Sequence, residues 1–158
     1  MRGIFSLIGI FVLISSCETE NKQETLLYIN HVNKLEFLSV DDKCGEWGGN
    51  EKKLILYRDN FNGPLLADYS ERTKNCDNVS EAKITKSIRR VKISDSENKL
   101  IIQSINELSK NKMTREDFPS HSGIYNRIML SDSSLIITDF PSVELKKFGE
   151  LVGKIKKK

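Results

Sequence analysis

The sequence predicts an α+β domain in which a mostly antiparallel sheet carries two helices, both from the C-terminal half, on one face. Three observations support this class. Short apolar segments bounded by turn residues recur through the N-terminal half. A capped helical pattern follows Ser94, and a second one lies near the C-terminus. The order strands, helix, hairpin, helix is typical of an antiparallel sheet with its helices on one side.

The N-terminal half predicts a series of strands. Two short strands are expected over residues 26–30 and 35–40. Residues 54–57 are apolar on both faces, which predicts a central strand. Asn62-Gly63 is a strong hairpin-turn signal, so a return strand is expected over residues 65–69.

Residues 83–93 fit both a helical and a strand pattern. A strand is favoured because a helix start follows at once, where Ser94 and Glu97 form a capping box. Apolar residues at positions i, i+4 and i+7 then predict a helix over residues 95–111.

The C-terminal part predicts a hairpin and a second helix. Residues 124–130 alternate, and residues 135–137 return after a turn. Pro141-Ser142 is expected to open the last helix, with Ser142 as its N-cap. One face of this helix is apolar, and its end is rich in lysine, where the helix dipole favours cations. The apolar residues are Leu145, Phe148, Val152 and Ile155.

The N-terminal segment has the pattern of a secretory leader. Arg2 precedes an apolar run, Gly3 to Ile14, which is shorter than the roughly 20 apolar residues of a bilayer-spanning helix. Ile14-Ser15-Ser16-Cys17 then places small side chains before a thiol. Residues 1–17 resemble the bacterial lipoprotein signal-peptide class. This resemblance implies cleavage after residue 16, a diacylglyceryl thioether on Cys17 and an acyl chain on its amine.

The chain is therefore expected to divide into three parts. These are a cleaved signal peptide (1–16), a flexible tether (17–25) and one globular α+β domain (26–158). The resemblance implies a lipid-anchored location in the bacterial cell envelope, on the periplasmic face or the cell surface. A plain secretory signal with a chance cysteine is the alternative.

Composition and charge limit the kinds of partner that the sequence gives reason to expect. The formal net charge is +3 over 158 residues, which gives no reason to expect nucleic acid as a partner. The sequence has no zinc-type spacing, calcium-loop pattern or dinucleotide fingerprint, so no metal or cofactor is expected. The expected partners are the membrane, through the lipid on Cys17, and an unidentified protein or small molecule.

Two further cysteines, Cys44 and Cys76, are expected to form a disulfide, because such bonds persist outside the cytoplasm. The loop-entropy model gives such a bridge roughly 3.5–4 kcal/mol of stabilisation. A catalytic thiolate at Cys44 with His121 as its base is the rival interpretation.

The most unusual string is residues 41–50, which combines carboxylates, three glycines and the only tryptophan. One interpretation is a disulfide-braced recognition loop or a cation site, because an exposed tryptophan is a typical binding anchor. The more ordinary interpretation is that the tryptophan packs against the core and that the glycines turn the chain. The candidate contact residues are Asp41, Asp42, Glu46, Trp47, Gly48 and Gly49.

An enzymatic alternative depends on residues 115–123, which gather charge, hydroxyls and a histidine. An envelope hydrolase could use His121 with Asp117 or Glu116 for acid–base work. The nucleophile-elbow pattern is missing, however, so a polar loop before a hairpin explains the segment equally well. No catalytic residue is assigned, and the leading hypothesis is a binding module. A protective inhibitor or immunity-type lipoprotein is a third possibility, and only the partner's identity separates it from the first.

Overall fold

The computed structural model describes residues 26–77, 82–116 and 119–158. The predicted leader, the lipidation site Cys17 and the tether all lie outside the described residues, as does Asp117. The strands are β1 Leu35–Val40, β2 Glu51–Tyr57, β3 Leu66–Thr73, β4 Lys83–Lys92, β5 Ile124–Leu130 and β6 Ile136–Ser142. The helices are α1 Asp95–Thr114 and α2 Lys146–Ile155.

The six strands within the described residues form one antiparallel sheet in the order β4-β3-β2-β1-β5-β6. Its first four strands form a meander, α1 then carries the chain to the other side of β1, and the β5–β6 hairpin completes the sheet. Both helices come from the C-terminal half, so the predicted α+β class is confirmed.

The core lies between the helices and one face of the sheet. Alternate residues of the central strands are buried there, because successive side chains of a strand point to opposite faces. Phe37 of β1 stacks on Phe148 of α2 with 5.5 Å between ring centroids. The same cluster contains Leu54 of β2 and Leu108 of α1.

The opposite face of the sheet carries an ion-pair network at its centre. Glu36 of β1 lies between two cations, Lys53 of β2 at 2.6 Å and Arg127 of β5 at 2.7 Å. Burial alone would raise the pKa of Glu36, but hydrogen bonds from Lys53 and Arg127 outweigh it and hold the pKa below its usual value. The network ties the three central strands together.

The expected strand over residues 26–30 is absent, and this prediction was wrong. The segment forms turns because the Asn30 side chain accepts the N–H groups of both Val32 and Asn33, at 2.8 Å each. The Ile29 side chain is buried, and its carbonyl accepts a hydrogen bond from Arg58 Nε at 3.0 Å. Side chains of Asn30 and Arg58 thus satisfy backbone N–H and C=O groups of this segment that a neighbouring strand would otherwise pair with.

The start of the last helix was also predicted wrongly. Ser142 belongs to β6, and α2 begins at Lys146 with Leu145 at the N-cap position. The cap comes from another helix, since Glu107 of α1 accepts the N–H groups of Lys146 at 3.0 Å and Lys147 at 2.9 Å.

Other predicted elements are confirmed. The ambiguous segment 83–93 forms β4, an edge strand with register shifts in its pairing to β3. Ser94 and Glu97 form the capping box of α1. The predicted hairpin is present as β5 and β6.

Candidate functional site

The 41–50 loop joins β1 to β2 and is tied to the segment that follows β3. Cys44 and Cys76 form a disulfide with 5.2 Å between their Cα atoms, as predicted. The bond joins two neighbouring connections at the same end of the sheet. A bonded Cys44 has no free thiolate, which removes it as a nucleophile in this state.

The glycines of this loop have definite conformational roles. Gly45 and Gly48 have φ values of +62° and +75°, a region that glycine adopts at little cost. Gly49 is needed for a different reason, because a Cβ atom there would lie 1.8 Å from Asp41 Oδ1. These residues shape the loop and offer no side-chain contact themselves.

Asp41 organises the loop from within. Its Oδ1 accepts the N–H groups of Asn50 at 2.7 Å and Lys43 at 3.1 Å, and its Oδ2 accepts Asn50 Nδ2 at 2.9 Å. With its oxygens already engaged by the loop, Asp41 has a structural role in this geometry.

Trp47 is the outstanding feature of the loop surface. Its side chain is 73% exposed, so the interpretation in which it packs against the core is wrong. Its backbone is held, since it ends the short 3-10 turn Gly45–Trp47 and its carbonyl accepts a hydrogen bond from Lys74 Nζ. Asp42 and Glu46 are also exposed. The loop therefore presents an indole ring flanked by carboxylates on a fixed backbone.

A polar cleft of about 210 Å³ lies beside the loop. Lys52 and Glu144 face each other in this cleft at 4.0 Å. Its volume is below the roughly 300–1,000 Å³ typical of small-molecule pockets. Its lining residues are Ser39, Asp41, Asn50, Lys52, Ile124 and Glu144.

The residues of the enzymatic alternative do not form a catalytic arrangement within the described part of the chain. His121 and Glu116 are both exposed. Neither takes part in a hydrogen bond or ion pair between described side chains. Asp117 lies outside the described residues. Among those that are described, no group of three or more His, Cys, Asp or Glu side chains could hold a metal ion.

The lysines near the C-terminus are partly engaged in ion pairs. Lys156 pairs with Glu71, and Lys158 Nζ lies 2.6 Å from Glu97 Oε2. Burial raises the pKa of both carboxyls, but hydrogen bonds, first of all from these lysines, outweigh it and leave each pKa below its usual value. These lysines therefore hold the end of the chain against β3 and α1.

One buried polar group was missed by the sequence reasoning. Asp139 of β6 is 1% exposed, and its Oδ1 lies 2.6 Å from Arg115 Nη2. Asn126 of β5, the residue opposite Asp139, is also fully buried and donates to Ser142 Oγ at 2.9 Å. The signal in the sequence was a polar residue, Asn126, at an inward position otherwise taken by the apolar Ile128 and Leu130.

Comparison of the chain with protein-family models, with curated proteins and with solved structures gives no match. None of the helices among the described residues is long and apolar enough to cross a membrane.

Proposed function

We propose that this chain is a lipid-anchored protein of the bacterial envelope whose folded domain binds a partner protein through the 41–50 loop. The observation that carries the proposal is the exposed Trp47 on a backbone fixed by the Cys44–Cys76 disulfide and by Asp41. A large aromatic side chain on a backbone that is already fixed requires little ordering of the loop when it binds.

A protein partner fits this surface better than a small molecule. The adjoining cleft measures only about 210 Å³, whereas an indole ring that projects from a loop needs a pocket on the other molecule. Charges of both signs surround the ring, since Asp42 and Glu46 lie beside Lys43 and Lys74, so the indole and not the charge is the main anchor.

Partner binding is tested by photo-crosslinking in intact cells. A photoreactive amino acid at position 47 should give a discrete adduct whose partner is identified by mass. Met113 is the matched control, because its side chain is 82% exposed and it lies on α1. Identical adducts from both positions, or none from position 47, would contradict the assignment of the loop. A toxin in the adduct would favour the protective-inhibitor alternative.

The anchor is tested separately by metabolic labelling with an alkyne fatty acid. The natural chain should be labelled and should sediment with membranes. The Cys17→Ser chain should lose the label and keep its intact leader. Equal labelling of both chains would refute lipidation at Cys17.

The hydrolase alternative has no specific observation in its favour. His121 is exposed, no hydrogen bond between described residues joins it to a hydroxyl or carboxylate, and no described cluster could hold a metal ion.

A further inference from the structure

Four large apolar side chains are exposed at the end of the sheet opposite the 41–50 loop. Leu27 is 68% exposed, Val32 66% and Phe61 70%, and Tyr28 lies beside them at 56%. They come from the segment that precedes β1 and from the β2–β3 connection. We call these four residues the apolar end.

The backbone of the apolar end is fixed by hydrogen bonds. Arg58 joins its two loops, donating to the carbonyl of Ile29 at 3.0 Å through Nε and to the carbonyl of Gly63 at 2.5 Å through Nη1. The Arg58 N–H also donates to the Asn30 carbonyl at 3.3 Å. Tyr28 is held by its hydroxyl, which donates to Asp132 in the β5–β6 turn at 2.8 Å. The apolar side chains are therefore displayed on a braced surface.

The N-terminal segment enters the domain at this same end. Leu26, the first described residue, lies with Leu65, Ile93 and Ser94 around one small cleft. Eight residues lie between Cys17 and Leu26, and the nine Cα–Cα steps that join them span at most about 32 Å. A lipid on Cys17 would therefore keep the apolar end within about 32 Å of the bilayer.

We propose that the apolar end docks on the lipid bilayer, with Leu27, Val32 and Phe61 in the interfacial layer between headgroups and acyl chains. This inference rests on the proposed lipidation of Cys17. Interfacial binding scales with the apolar area buried and adds to the affinity of a covalent lipid. Tyr28 suits the headgroup level, since its ring is amphipathic and its hydroxyl is already bonded.

Charge adds to this docking. The basic residues Lys34, Arg58, Arg90 and Lys92 lie at the same end as the acidic residues Asp59 and Asp132, and Arg90 pairs with Asp59. The excess of basic residues attracts anionic headgroups and supplements the insertion of the apolar side chains. Docking in this orientation would turn Trp47 away from the bilayer, toward a partner.

The single tryptophan permits a direct test with the full chain. A Trp47→Phe, Phe61→Trp double variant moves the fluorophore to the apolar end, and the natural chain is the matched control. Both are purified with their lipid and reconstituted into phosphatidylethanolamine–phosphatidylglycerol vesicles that contain brominated acyl chains. The expected result is at least fivefold stronger quenching at position 61 than at position 47. Adding Leu27→Glu and Val32→Glu should remove most of the difference.

The outcomes separate docking from anchoring. Acylated protein in vesicles with equally weak quenching at both positions would overturn docking and leave the anchor intact. If mass spectrometry finds no acyl group, the reporter is read at excess lipid in a Cys17→Ser chain from which the apolar leader, residues 1–16, has been removed. Quenching in that chain would support docking in the absence of the anchor, and no quenching would overturn docking. A reporter spectrum that shifts with protein concentration in the absence of lipid would indicate self-association and would also overturn the proposal.

Discussion

At the scale of single residues, the 41–50 loop depends on a close approach between Gly49 and Asp41. The Asp41 carboxylate can accept the N–H of Asn50 only because no Cβ atom occupies the space beside it. A side chain at position 49 would also meet backbone atoms of Asp41 and Lys43 at 2.6 and 2.8 Å. Backbone atoms cannot rotate away, so the loop would have to rearrange.

We therefore expect Gly49→Ala to lower the free energy of unfolding by roughly 2–3 kcal/mol. The matched control is Gly149→Ala in α2, where a Cβ atom meets nothing within 4 Å. That change should stabilise the protein by about 0.5–1 kcal/mol, because alanine favours the helix. Urea titration of both variants measures the difference, and a neutral Gly49→Ala would contradict the described geometry.

At the scale of elements, the start of α2 is decided by a neighbouring helix. Leu145 offers no side-chain cap, and the first N–H groups of α2 are satisfied instead by the Glu107 carboxylate of α1. A negative charge at this position also interacts favourably with the helix dipole. Docking of α2 and its N-terminal capping are thus one interaction.

Replacing Glu107 by alanine should destabilise the protein by about 1–2 kcal/mol, the usual cost of losing a cap. Glu107→Gln keeps an acceptor and should cost less. Glu150→Ala is the control, since Glu150 makes only a half-exposed pair with Lys147, and about 0.5 kcal/mol or less is expected. Thermal unfolding ranks the three variants, and equal losses for Glu107→Ala and Glu150→Ala would argue against capping.

The disulfide joins the β1–β2 loop to the segment that follows β3. Cys44 and Cys76 are 32 positions apart, so the bond closes a long loop of the unfolded chain. Its reduction should lower the free energy of unfolding by roughly 3.5–4 kcal/mol in the loop-entropy model. Urea titration with and without reductant measures this loss. A Cys44→Ser, Cys76→Ser double variant should match the reduced protein and should no longer respond to reductant.

At the scale of the whole molecule, three carboxylates connect parts that are distant in sequence. Glu36 joins β1 to β2 and β5, Glu71 joins β3 to the end of α2, and Glu97 joins the start of α1 to Lys158. Each has a pKa below its usual value, because the hydrogen bonds of its cationic partners outweigh the effect of burial. Protonation of these carboxylates at low pH therefore weakens ion pairs in several parts of the fold.

A carboxyl with a lower pKa in the folded than in the unfolded protein stabilises the fold above its unfolded pKa. That contribution is lost as the pH falls through the folded pKa. We expect the free energy of unfolding to decrease steadily from about pH 5 toward pH 2. Glu97→Gln should make this decrease shallower in urea titrations at several pH values. An unchanged slope would show that Glu97 has no linked protonation.

The sequence determined much of this molecule because its signals are local. Ser94 and Glu97 lie within one helical turn, and the β5–β6 alternation needs only the next turn of the chain. Such patterns fix where most strands and α1 begin and why the fold is α+β. Cys44 and Cys76 were predictable because they are the only two thiols left after Cys17.

Only the tertiary structure decided the features that depend on distant partners. Residues 26–30 look like a strand until Arg58 engages their carbonyl groups, and Ser142 looks like a cap until Glu107 takes that role. The exposure of Trp47 and the grouping of Leu27 with Phe61 likewise depend on which loops meet at each end of the sheet. Local sequence sets the preference of each segment, but burial and hydrogen bonding are settled by neighbours that the sequence places far away.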